Sequence, residues 1–389
     1  MKEKIAKIAD IITEYSIYGI IFFIPIAPAA LEIFFGFGFL AFIIKKSLKP
    51  DFKFFKNTTN TFILFFLIFC AFSLLNSGIY MEKSLKALFF KWTQKVILFF
   101  MIVDTFNERR RVINGLVIFL SIAFFAGIDA ITQRFLGIEF FRGKLVVELA
   151  NGMRAARAAF SHYNDFGAYL IFPLTLSLAI LTSKEAKNIY KFITLILTIF
   201  LTSALFLTLS RGTWLGFLLA LILMLILKGR FKALSIAILL LVAVVALFPD
   251  IRDRVLLTFQ KGGDAGRFTI WKAALQMIKD NPFFGKGIGT FMDYSTKYIT
   301  TSSPVYAHNC YLQIWAETGI FSLVSFLLFA CSLLISGAKA FISRKDFWLL
   351  GLLCGTFGFF AHSFFDTQFY SLQLSFLFWT MAGLLSALI

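Results

Sequence analysis

The chain contains only three histidines, and two of them stand among arginines and glycines. His162 lies in Phe160-Ser161-His162-Tyr163-Asn164-Asp165, shortly after Arg154 and Arg157. His308 lies in Tyr306-Ala307-His308-Asn309, with Glu317 and Gly319 following. Between them come Ser210-Arg211-Gly212, then Arg267 with Trp271 four residues on, then Asn281-Pro282-Phe283-Phe284-Gly285-Lys286-Gly287-Ile288-Gly289. A guanidinium fork pairs with two phosphate oxygens at once. An imidazole beside such cations stays neutral near neutral pH and can accept a proton. Simpler readings exist for each feature. A histidine at a helix start is commonly a cap, and basic residues near a membrane commonly hold lipid headgroups. The glycine run follows no strand and opens no βαβ unit, so it reads as a turn with free backbone N–H groups. His362 and Asp366, four apart, read as structural for want of a third partner. Asp129 sits inside an apolar run, where ion transport and helix–helix hydrogen bonding are both open.

The elements that must hold these residues are membrane helices. Apolar residues make up 59% of the 389, charged residues only 15%, and 53 residues are Phe. Mean hydropathy is +0.83. A soluble domain of this size needs a charged surface that such a chain cannot supply. Apolar runs at 15–30, 31–45, 60–78, 88–104, 112–133, 166–182, 189–207, 213–228, 232–249, 308–337, 346–363 and 370–388 are each about long enough to cross ~30 Å of hydrocarbon. The fold class expected is an all-α polytopic membrane protein with about 12 transmembrane helices. Residues 1–389 form one integral membrane domain. The four cysteines show no metal-ligand spacing, and neither a disulfide nor a zinc site is expected. The basic N-terminus reads as part of an uncleaved first span, with a turn at Pro25 and Pro28.

Loop charge orients the spans. The N-terminal lysines, 45–56, Arg109-Arg110-Arg111, 184–191, 228–232 and 339–345 are basic, and alternate loops are short with little positive charge. The basic set is therefore expected on the cytoplasmic side, with both termini inside. The long connections 134–165 and 250–307 then fall on the outer face, as a helical extracytoplasmic cap over the active site. Residues 268–279 have the pattern of an amphipathic helix that lies on the outer leaflet or on the protein. Arg154, Arg157, His162, Arg211, Arg267 and His308 all come to one side.

These motifs resemble the O-antigen ligase and O-antigen polymerase family of bacterial membrane glycosyltransferases. The resemblance rests on Phe160 to Asn164, Ser210-Arg211-Gly212, Arg267 and Trp271 with Asn281-Pro282 and Gly285/Gly287, and His308-Asn309 with Glu317 and Gly319. Outside Ser161 to Asn164 the first outer loop matches loosely, and the second has no subdomain for a particular acceptor. The resemblance implies a GT-C-like enzyme in the bacterial inner membrane. It would transfer O-antigen glycan from undecaprenyl pyrophosphate to a sugar hydroxyl of lipid A–core at the periplasmic face, in lipopolysaccharide biosynthesis, without metal or cofactor. It also implies His308 as the base and Arg211 and Arg267 as pyrophosphate ligands. Arg154 and Arg157 are secondary phosphate contacts, and His162, Asn164, Asn309 and Glu317 are supporting residues. The expected partners are the carrier-linked donor, the lipid A–core acceptor and membrane lipid, with no nucleic acid. Fixed guanidinium groups suit a leaving group whose charge grows as the glycosidic bond breaks. No DxD motif stands in the outer loops to hold a divalent ion. Attack from the opposite face of the sugar would invert the anomeric centre. Two other functions remain open at this point: a polymerase that uses a second carrier-linked repeat as acceptor, and a transporter of an anionic lipid-linked substrate, which would need no base.

Overall fold

A computed structural model describes the chain apart from residues 53–56, 141–142, 144–153, 233–234, 236–238, 240–246, 248, 257–265 and 300–304. The described residues are helical and include no strand. Helices α1 (Lys2–Phe23), α2 (Pro28–Leu48) and α3 (Thr58–Phe72) come first. They are followed by α4 (Met81–Lys86), a π-helical turn (Ala87–Thr93) and α5 (Gln94–Thr105). Next are α6 (Arg109–Leu136), α7 (Tyr163–Leu181), α8 (Asn188–Leu207), α9 (Arg211–Leu227) and α10 (Pro249–Leu256). Last come α11 (Arg267–Asp280), α12 (Phe291–Tyr298), α13 (Cys310–Arg344), α14 (Phe347–His362) and α15 (Leu372–Leu388).

These helices cover the apolar runs read from the sequence, except 232–249, which lies largely outside the described residues. By length and composition, six are long and apolar enough to cross a membrane: α2, α3 with its 3₁₀ extension, α6, α7, α8 and α13. Helices α9, α14 and α15 are apolar but shorter. The first run is displaced from its expected bounds. Helix α1 begins at Lys2 and stops at Phe23, and Pro25 falls in the turn before α2. Pro28 occupies the first turn of α2, where its missing N–H costs nothing. Helices α1 and α2 then pack as a hairpin.

Helices α7 and α14 run through the middle, packed on one another and on α9. Helix α3 lies along α13, and α5 along α15. Aromatic rings fill the joints: Phe369 meets Phe378 edge-on at 4.8 Å, and Phe99, Phe329 and Trp379 interlock beside them. Lipid tails are as apolar as leucine, so such helices associate through close packing and internal hydrogen bonds, with little hydrophobic drive. Many phenylalanines on the outside, Phe37, Phe90 and Phe192 among them, stay exposed. In a membrane that surface faces acyl chains. Lys95 is only 1% exposed and is compensated within the bundle. It lies 3.4 Å from Glu32 and 3.9 Å from the ring centre of Phe376.

The basic residues that the sequence assigns to one side gather at one end. Lys45 bonds Asp10 (2.5 Å) and Asp104 (2.7 Å), and Arg111 bonds Asp10 (2.8 Å). Arg109 pairs with Asp346, and Lys228 donates to the Thr182 carbonyl at 2.8 Å. The starts of α7, α9 and α13 lie at the other ends of their helices. A 17-residue helix such as α9 separates its two ends by about 25 Å.

Helices α11 and α12 form a second, smaller core with the first turns of α13, from Ile270, Ala274, Met277, Phe291, Tyr294 and Ala316. Of the two settings open for residues 268–279, the structure shows burial against protein: Ile270, Ala273, Ala274, Met277 and Ile278 face this core. Phe268 and Leu275 remain exposed.

Candidate functional site

His308 sits one residue before the N-cap of α13, with φ +47°, in the left-handed region that non-glycine residues rarely occupy. Such strain persists only where neighbours hold it. On one side, the Ala307 N–H donates to Gln313 Oε1 (3.0 Å), and its carbonyl accepts from Trp271 Nε1 (3.0 Å). On the other, Asn309 caps α13 by accepting the N–H groups of Tyr311 and Leu312 (3.0 Å each). The Cys310 N–H then donates to the Ser363 carbonyl (2.9 Å). The role of Trp271 follows from its spacing. It stands one turn after Arg267 on α11, so one helix delivers Arg267 and clamps the backbone before His308.

His308 Nδ1 lies 3.3 Å from Asp366 Oδ1. Asp366 also accepts the Thr367 N–H (2.8 Å), and its own carbonyl accepts from Cys310 Sγ (3.1 Å). Burial disfavours the charged carboxylate. The His308 hydrogen bond and the charges of His362 and His308 outweigh it and hold the Asp366 carboxyl well below the usual carboxylate range. An ionised carboxylate only accepts, so Nδ1 is the donor; in the neutral imidazole the lone pair is then on Nε2. This is the arrangement of a general base oriented by a carboxylate. In the sequence Asp366 reads as structural for want of a third partner. That partner is His308, 58 residues away. His362 does fit the structural reading: it is buried between Gln368 and Thr213. Its ring also accounts for Gly212, where a Cβ would meet it at 3.0 Å.

His162 is a cap. Its Nδ1 accepts the Asn164 N–H at 3.2 Å at the start of α7, and its ring lies 4.0 Å from that of Tyr163. Burial lowers its pKa below the ordinary 6.5; His308, Arg157 and Arg267 lower it further, while Asp366 opposes. The neutral form is thus favoured, and the stability this adds is full above 6.5 and is lost as pH falls through the lowered value. These mutual fields place His162, Arg157, Arg267, His308 and Asp366 in one electrostatic neighbourhood.

The arginines differ in their surroundings. Arg211 opens α9, after a turn in which Leu209 takes φ +55°. The Ala156 N–H donates to the Leu207 carbonyl (2.9 Å), which docks the 154–160 segment on that turn. Arg154 packs over the left-handed C-cap Gly137 of α6. Arg157 is committed to a carboxylate: its Nη2 lies 2.8 Å from Glu139 Oε1, and Glu139 is buried. A phosphate contact by Arg157 would therefore have to open this pair. Asp129, the acid within α6, accepts from Gln133 and from the Phe140 N–H. Gln133 in turn bonds the Ala158 carbonyl and the Arg157 N–H. These contacts account for Asp129 as hydrogen bonding that anchors the loops.

The glycine run departs from its expected reading. Its N–H groups are engaged. Helix α13 breaks at Gly319 (φ +83°, ψ 174°), and the loop docks into the break. Lys286 and Gly287 donate to the carbonyls of Ala316 and Glu317 (2.9 Å each). The Pro282 carbonyl accepts from Ile320 N (3.0 Å) and Trp315 Nε1 (3.1 Å). The buried Glu317 carboxylate accepts from Gly289 N (2.8 Å), Phe291 N (3.1 Å), Gln313 and Tyr370. Gly285 must be glycine, because a Cβ there would lie 2.3 Å from the Glu317 backbone and its φ is +67°. Glu317 therefore ties the loop to α13 and steadies Gln313, which holds Ala307. Among the described residues, no group of three or more His, Cys, Asp or Glu side chains could hold a metal ion.

Residues 196–327 match the family model described as O-Antigen ligase. That stretch holds Arg211, Arg267, Trp271, the glycine loop, His308 and Glu317, whereas His162 and Asp366 lie outside it. The chain is also 28% identical over 186 residues to the O-antigen ligase of Salmonella typhimurium. The match covers 43% of this chain and 44% of that relative, so the chain spans less than half of the relative's length. Both findings support the resemblance read from the motifs.

Proposed function

We propose, with the O-antigen ligase family that both comparisons support as the premise, that this multi-pass membrane protein attaches O-antigen glycan to lipopolysaccharide. In this reading the donor is glycan on undecaprenyl pyrophosphate, and the acceptor is a sugar hydroxyl of lipid A–core. The basic end of the bundle lies in the cytoplasm with both termini, and about twelve helices span the inner membrane. Helices α11 and α12 belong to a periplasmic cap. The observation that carries the reading is the strained His308 turn with Nδ1 against the Asp366 carboxylate.

His308 Nε2 takes the proton of the acceptor hydroxyl as its oxygen forms the new bond to the anomeric carbon. The bond from that carbon to the pyrophosphate oxygen breaks, and the electron pair leaves with the lipid pyrophosphate. Attack opposite the leaving group inverts the centre. Arg211 and Arg267 stabilise the developing negative charge from fixed positions at helix starts. Arg154, and Arg157 once released from Glu139, are secondary contacts.

The test is transfer by the purified full chain with undecaprenyl-pyrophosphate glycan and lipid A–core in EDTA. Transfer to core at a rate unchanged by the chelator is expected. Inhibition reversed by Mg²⁺ would overturn the metal-free step, and elongation of the carrier-linked glycan in place of transfer would make the protein a polymerase. In the same assay Arg267→Lys is expected to lose activity on the order of tenfold or more, because a point charge cannot bridge two phosphate oxygens. Full activity in that variant would remove the bidentate contact from the mechanism.

A further inference from the structure

Helices α7, α9 and α13 start at the His308 end and finish together at the opposite end, where they surround a basic pocket of about 400 Å³. Lys184, Lys228, Arg230 and Lys345 line it, against a single carboxylate, Glu185. Lys228 is half-buried and donates to the Thr182 carbonyl and hydroxyl at 2.8 and 2.7 Å, which holds its ammonium at the pocket wall. Lys345 takes φ +53° beyond the end of α13, with its ammonium 5.4 Å from the centre of the Phe341 ring. Lys184, Arg230 and Lys345 are exposed, and among the described residues no ion pair joins these four cations to a carboxylate.

This pocket adjoins a second one. Glu185 and Phe347 line both. The second is an apolar groove of about 910 Å³ between α6 and α8, walled by Val117, Leu120, Phe124, Ile193 and Leu197. Tyr190 and Trp348 also line it, residue types that settle at the boundary between hydrocarbon and water. A cationic pocket at a helix end, beside an apolar groove with which it shares Glu185 and Phe347, matches an amphiphile with an anionic head and acyl chains. Basic pockets between helix ends suit phosphate headgroups. The groove alone would take any lipid chain, so the excess of positive charge selects the class.

We infer that this end of the bundle is a binding site for an anionic phospholipid, with its phosphate among Lys184, Lys228, Arg230 and Lys345 and its acyl chains in the groove between α6 and α8. The site lies at the opposite end from His308, so it is separate from the glycan-transfer reading and is tested without it.

The experiment is native mass spectrometry of the full chain in detergent, delipidated and then titrated with phosphatidylglycerol or phosphatidylcholine of identical chains. The expected result is a one-to-one adduct retained for phosphatidylglycerol on the order of tenfold better than for phosphatidylcholine. Arg230→Gln with Lys345→Gln removes two exposed charges and should erase that preference. Ser121→Trp fills the groove from an exposed position and should weaken retention of both lipids. Equal retention of the two lipids by the wild type would overturn the inference. So would an undiminished preference in the double variant. A preference that falls in the double variant, with weaker retention in Ser121→Trp, establishes both halves of the site.

Discussion

Replacing His308 with alanine is expected to lower glycan transfer by about 10²- to 10⁴-fold, the usual contribution of a positioned general base, while donor binding stays largely intact. In the proposed mechanism the base acts on the acceptor proton in the transition state, whereas Arg211 and Arg267 would hold the donor pyrophosphate. Single-turnover transfer and equilibrium binding of the carrier-linked donor, measured on the same preparations, separate the two effects. His308 occupies a left-handed backbone position, so the alanine variant could lose the turn as well as the base. Asparagine tolerates that conformation better. His308→Asn should therefore keep the turn and still lose the rate. Full transfer by His308→Ala, with loss on changing Arg211, would remove the base from the mechanism and leave the arginines as the groups that carry the step.

Asp366→Asn is the second large effect, and it tests a residue that acts through another. Asp366 is buried and aims Oδ1 at His308 Nδ1. A neutral amide has nearly the same shape but presents either a donor or an uncharged acceptor to the imidazole. Both the tautomer and the stabilisation of the protonated ring are lost, and a fall in kcat of about 10²-fold or more is expected. KM for the donor should change little. Asp366→Glu should recover part of the rate if orientation is what matters; a purely packing role predicts the reverse order, with the near-isosteric Asn tolerated and Glu disruptive. The pH dependence has a definite sign. The folded-state pKa of Asp366 is lowered from 3.8, so its contribution is complete above that value and is lost only as pH falls through the lowered one. Between pH 5 and 8, on the order of normal assay conditions, no loss of transfer should trace to protonation of Asp366.

Several parts of the site are legible in the sequence. Arg211 can be placed at a helix start because apolar runs on either side leave almost no loop. Trp271, four residues after Arg267, falls on the same stretch of helix for reasons of helical period alone. Other parts are not legible there. His162 caps α7, but a histidine in a cap and a histidine in a site carry the same local signature, so the sequence alone leaves both readings open. The N–H groups of the glycine loop read as free. Only the break at Gly319 reveals carbonyls and a buried carboxylate that accept them. Arg157 reads as available for phosphate, yet Glu139 lies against it.

The class of molecule follows from the linear string, and the expectation that its chemistry lies opposite the basic loops comes from there too. Apolar runs near the thickness of a bilayer and basic loops in alternation depend on composition and local period alone. Which groups meet depends on the packed bundle: Asp366 with His308, the glycine loop with the break in α13, and four cations from three helix ends with an apolar groove. Those meetings join residues far apart in the chain, 58 positions in the case of His308 and Asp366. They are settled by which helices pack against which, and no local pattern in either partner encodes that choice.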